Sequence, residues 1–153
     1  MSTQGGKANL TGNVLEKFIQ QRLLDEGYIM IPKNMFDTYI GGDKNVFTRQ
    51  YNIGTGIYGS NLRCDLYIYN PLLYPDCLAV ECKWQQSNGS VDEKFPYLVL
   101  NIKNHYHTDT IILLDGGGYK KGAERWLRAQ VGDNLLKVMN MSEFTAWVNN
   151  NNL

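Results

Sequence analysis

Cysteine, proline and histidine are scarce in this chain, at three, four and two residues among 153. Three cysteines without spaced Cys/His pairs argue against a zinc site and for free thiols in a reducing compartment, so a cytoplasmic location is the expectation. A Cys64–Cys82 cross-strand disulfide is the less favoured alternative. Net charge is missing as well: fifteen Lys and Arg balance fifteen Asp and Glu. The whole chain is therefore not a basic nucleic-acid binder by charge, although a local basic face can coexist with an acidic site. No apolar run approaches the ~18 residues of a membrane span. Met1 to Asn9 is polar and glycine-rich, without the apolar centre of a signal peptide. The glycines of Gly54–Asn61 are not followed by Gly-Lys-Ser/Thr, which excludes a P-loop.

What the chain does have is an oddity in two apolar, β-prone runs, Cys64-Asp65-Leu66-Tyr67-Ile68-Tyr69 and Leu78-Ala79-Val80-Glu81-Cys82-Lys83. Burying a charge without a partner costs several kcal/mol, roughly, so three charges in neighbouring strands need a reason. A divalent metal ion supplies one. Asn-Pro and Pro-Asp turn signals between Asn70 and Asp76 predict an antiparallel hairpin. With the turn centred near Leu73, Asp65 falls opposite Glu81 and Cys64 opposite Cys82. Directly opposed Cβ atoms lie about 4.5–5.5 Å apart, so the two carboxylates converge. Alternation places Lys83 on the same face and Cys64, Leu66, Val80 and Cys82 on the other.

The remainder reads as one domain, 1–153, with flexible tails at 1–10 and 149–153. Thr11 or Asn13 caps a helix to about Glu26, with Val14, Leu15, Phe18, Ile19, Leu23 and Leu24 apolar and Gly27 as its stop. Tyr28–Ile31 and Val46–Ile53 are strands, and Lys33–Asn45 is ambiguous. Ser90 to Glu93 has the form of a capping box before a helix from about Val91 to His105. Thr108–Asp115 is a strand buried on both faces, parallel to the lysine strand through a crossover. A helix over Lys120–Val131, a strand over Leu135–Met139 and a helix capped by Ser142 complete the chain. His105 and His107 are read as structural, and Trp84 and Trp126 have no base-stacking pattern.

Asp65, a hairpin break and then Glu81-Cys82-Lys83 resemble the core of the PD-(D/E)XK nucleases, the superfamily of type II restriction endonucleases and archaeal-type junction resolvases. The order of elements over roughly Thr11 to Asp115 is similar too. One departure is Cys64-Asp65 where the motif has Pro-Asp. The resemblance implies an α/β fold with a restriction-endonuclease-like core, a central mixed β-sheet flanked by helices. It implies a metal-dependent DNA endonuclease of restriction or homing type. A Holliday junction resolvase or repair-type nuclease is the alternative, and a non-catalytic DNA-binding or interaction protein the alternative of another class. It further implies Mg²⁺, or Mn²⁺ as a substitute, held by Asp65, Glu81 and the Cys82 carbonyl, with Lys83 at the nucleophile. Glu16 occupies the place of a helical acid near the metal; a solvated residue in the first helical turn is the other reading. DNA is the expected partner, with a homodimer or higher homo-oligomer and no membrane. Arg49, Arg63, Gln85, Lys120, Lys121 and Arg125 are the DNA-contact candidates. The last three belong to the densest basic patch, which also includes Arg128.

Overall fold

The computed structural model describes residues 4–153, with side chains from Val14 onward. Its centre is a six-stranded sheet in chain order, β1 to β6. β2 (Val46–Thr55), β3 (Asn61–Asn70) and β4 (Tyr74–Trp84) form an antiparallel meander. β1 (Ile29–Met30) joins parallel to β2, while β5 (Asp109–Asp115) and β6 (Leu135–Met139) run parallel to β4. The sheet is therefore mixed, as expected, and β5 lies parallel to the lysine strand. Thr110 to Leu114 are all buried, because helices cover both faces of this strand.

On one face lie α1 (Gln4–Asp25) and α4 (Met141–Asn149). Leu15, Ile19 and Leu23 recur at four-residue spacing and are fully buried with Leu66, Ile68, Val80, Phe144 and Val148. Each contributes about 1.5–3 kcal/mol by leaving water, enough to dock the helix. The stripe is narrower than expected, since Val14 and Leu24 are exposed. Gly27 does end the helix, with φ +90° and the Tyr28 N–H donating to the Leu23 carbonyl, a left-handed cap that glycine adopts without strain. The opposite face carries α2 (Phe95–Asn101) and α3 (Lys121–Ala129), which bury Phe95, Val99 and Leu127 against Tyr67, Ala79, Ile112 and Leu114.

Several boundaries differ from the sequence reading. α1 begins ahead of Thr11 and Asn13; of the expected N-terminal tail, residues 1–3 lie outside the described residues, as do the side chains of 4–13. Lys33–Asn45 contains a 3₁₀ turn, Phe36–Tyr39, that buries Phe36. No Ser90–Glu93 capping box forms: the segment enters through a 3₁₀ turn, Asp92–Lys94, without a side-chain cap. Helix α2 then passes into a wide π turn, Ile102–Tyr106. The cap of α4 is Asn140, not Ser142, in a reciprocal capping box with Glu143. At the C-terminal end, read as a tail, the Tyr74 hydroxyl donates to the Asn152 carbonyl at 2.7 Å and Leu153 packs on the α1 side. The three cysteines are free thiols. No described helix is long and apolar enough to cross a membrane.

Candidate active site

The β3–β4 hairpin is closed by Asn70. Its side-chain oxygen accepts from the Leu72 and Leu73 N–H groups at 2.9 and 3.0 Å, and its amide donates to the Tyr28 hydroxyl. The turn pairs Asn70 with Tyr74, and a register shift between Ile68 and Asn70, beside the left-handed Cys77 (φ +71°), sets the pairing beyond it. Leu66 pairs with Val80, Tyr67 with Ala79 and Ile68 with Leu78. Continued one step, that register sets Asp65 opposite Glu81, the juxtaposition expected, although the turn is centred on Leu72 rather than Leu73 and the bulge makes up the difference. Regular pairing stops there, and the Cys82 N–H donates instead to the Asp65 carboxylate at 2.7 Å.

One assignment of faces changes. Leu66 and Val80 lie with Cys82 on the α1 side, as expected, but Cys64 packs on the α2 side. Gln50, across from Asp65 on β2, has φ +52°. A non-glycine residue in that region costs about 1–3 kcal/mol and clusters at functional sites. Its amide reaches the other Asp65 oxygen at 3.4 Å. The strand alternation breaks at this point, leaving Asp65 between the two faces.

Glu81 is 3 % exposed. Burial, then the neighbouring Asp65, pushes its carboxyl up to about 8, against the pull of Lys83 and of the Tyr106 hydroxyl. The Lys83 ammonium stands 4.0 Å from Glu81 Oε2, and the Tyr106 hydroxyl donates to Oε1. Glu16 on α1 comes from the opposite layer. Burial and Asp65 raise its carboxyl, and Arg49, 3.6 Å away, opposes the rise. Thus Glu16, Asp65, Glu81 and Lys83 are gathered in one place. Arg49 joins them through its ion pair with Glu16.

The other candidates are divided. Gln85 is buried and committed: its oxygen accepts from the Asp92 N–H at 3.0 Å and its amide donates to the Gly118 carbonyl at 3.2 Å. It ties the end of β4 to the glycine loop and is not free to contact DNA, which corrects the sequence reading. Arg63 is exposed on β3, and Lys120, Lys121 and Arg125 are exposed at and after the glycine loop. That loop leaves β5 at the same end of the sheet as Lys83, since Trp84 pairs with Asp115. Arg128, the fourth member of the basic patch, is occupied by Glu143 at 2.7 Å and Glu124 at 3.4 Å. Sequence reading missed Gln50 and Tyr106. Gln50 was recoverable from its place opposite Asp65; Tyr106 was not, because a π turn delivers it.

Among the described residues, no three His, Cys, Asp or Glu side chains alone close a metal shell. The donor set nevertheless fits a hard divalent cation, which takes one or two carboxylates and completes its shell with water and phosphate oxygens. Such an ion would relieve the pressure that burial and the neighbouring Asp65 put on the Glu81 carboxylate. A family model described as a PD-(D/E)XK nuclease superfamily domain matches residues 7–152. No curated protein and no solved structure matches the chain.

Proposed function

The chain belongs to the PD-(D/E)XK nuclease superfamily, and on that premise we propose that it is a metal-dependent DNA endonuclease with Asp65, Glu81 and Lys83 as its working set. The observation that carries the reading is the convergence of two acids and one lysine, Lys83 to Glu81 at 4.0 Å, where β3 and β4 part. A Mg²⁺ ion, or Mn²⁺ in its place, would be held by Asp65, Glu81 and the Cys82 carbonyl, and when bound supplies charge stabilisation and a more acidic water.

The protein's own groups do the rest. Asp65 is aimed by the Cys82 N–H and the Gln50 amide. Lys83 touches the scissile phosphate and orients the attacking water. Glu16, anchored by Arg49, is a further acid from the helix layer, and its charge tunes the Asp65 side of the site. Arg49, Arg63, Lys120, Lys121 and Arg125 supply cationic contacts to phosphates, which position a nucleic acid without reading its sequence. Cutting both strands of a duplex calls for two such sites, hence a homodimer. An intact acid–acid–lysine set opposes a purely binding role, since a scaffold without chemistry gains nothing from burying those charges.

The test is cleavage of linear duplex, supercoiled plasmid and four-way junction DNA, in Mg²⁺ and in EDTA. Lys83→Ala and Asp65→Asn are each expected to lower the rate by about 10²–10⁴-fold, the usual size of acid–base and electrostatic contributions. Cleavage that survives both substitutions sinks the assignment. Preference for the junction over the linear duplex moves the protein to the resolvase alternative.

A further inference from the structure

Helix α2 does not end in an ordinary α-turn. Its last turn, Ile102–Tyr106, is a π turn, and inserting one residue into a helix swings everything after it by about 100°. Both Ile102 and Tyr106 are buried on the same core. The distortion is held from outside: the Asn134 amide donates to the Ile102 carbonyl at 2.7 Å and to the Thr108 carbonyl at 3.1 Å. His107 then closes the turn with φ +52°. Such turns are rare and recur at functional sites.

Here the product of the distortion is one contact. Tyr106 is 4 % exposed, and its hydroxyl donates to Glu81 Oε1, while Glu81 Oε2 faces Lys83. A buried hydroxyl needs a partner, and the one Tyr106 finds is the carboxylate of Glu81. We propose that Tyr106 is a positioning residue that commits one oxygen of Glu81 to the protein and leaves the other for the cation. The inference rests on the nuclease reading above and adds to it. With one oxygen held by the hydroxyl and the other facing Lys83, the rotation of the carboxylate is restrained. Hydrogen-bonded partners of this kind typically change metal affinity by about 10–100-fold when removed.

The experiment is calorimetric titration of the intact protein, without DNA, using Ca²⁺ and Mg²⁺. Tyr106→Phe should weaken cation binding by about tenfold or more. DNA affinity in EDTA should stay at the wild-type value, and cleavage should return to within a few-fold of wild type at saturating Mg²⁺. A merely structural tyrosine would not give that rescue. Equal cation affinity in wild type and Tyr106→Phe overturns this inference and leaves the nuclease reading standing. No cation binding by the wild type overturns both. Should Tyr106→Phe fail to fold, Asn134→Ala carries the same test, because it frees the turn that presents the hydroxyl without removing the hydroxyl itself; unchanged cation affinity there overturns the inference.

Discussion

Replacing Glu81 by Gln should make the metal-free protein more stable at alkaline pH while removing its site acid. The Glu81 carboxyl is pushed up to about 8 in the fold, against 4.5 for the ordinary group, first by burial and then by Asp65. Between those two values the unfolded chain has shed its proton and the folded protein keeps it. Stability therefore falls as pH rises through that window, by about 1.4 kcal/mol per pH unit, and levels off above about 8. Below 4.5 the contribution is fully present. The accumulated loss is about 4–5 kcal/mol, a large share of the roughly 5–15 kcal/mol that holds a domain together. Glutamine removes the titration and keeps an oxygen for the Tyr106 hydroxyl. Urea unfolding in EDTA at pH 5 and pH 8.5 measures the effect: the stability difference, variant minus wild type, should grow by several kcal/mol from the lower to the higher pH. A difference that is the same at both values refutes the reasoning, since Glu81 would then not be titrating between folded and unfolded states. Added Mg²⁺ should stabilise the wild type by mass action and leave the variant unmoved.

Two further outcomes probe what holds the site in place. Gly116 has φ +104°, and a Cβ there would sit 2.5 Å from the Gln85 backbone oxygen; Gly116→Ala should cost about 2–3 kcal/mol and lower Tm by about 5–10 °C. A Tm within about 1 °C of wild type would show that the glycine loop and the end of β4 are not locked together. Ile19 is fully buried in the stripe that docks α1, so Ile19→Ala should cost about 2–5 kcal/mol in urea unfolding. A loss below about 1 kcal/mol would mean that the helix carrying Glu16 is held by something other than that stripe.

Periodicity alone determined the layers of this protein. Leu15, Ile19 and Leu23 repeat at helical spacing, and the run Thr110–Leu114 is too apolar for anything but a strand covered on both faces. Turn chemistry at Asn70–Asp76 marked the hairpin, but its register at the site depends on a bulge between Ile68 and Asn70 that the turn residues do not reveal. The juxtaposition of Asp65 and Glu81 was thus anticipated from a turn centred one residue too far along, and the bulge restored it. Cap identities were not legible, since Ser90, Ser142 and Asn140 are equally good caps in sequence and tertiary packing chose among them. The fate of Gln85 was invisible for a similar reason: alternation places it on the site face, but the glycine loop of β5 captures its amide. Cys64 went to the other face because the left-handed Gln50 twists the ladder beside Asp65. Tyr106 lay furthest from sequence reach. Tertiary packing, with the turn held by Asn134 from across the fold, brings its hydroxyl to the acid that the sequence had already marked. Local pattern thus placed the charges on the strands; long-range hydrogen bonds decided which of their oxygens remain free.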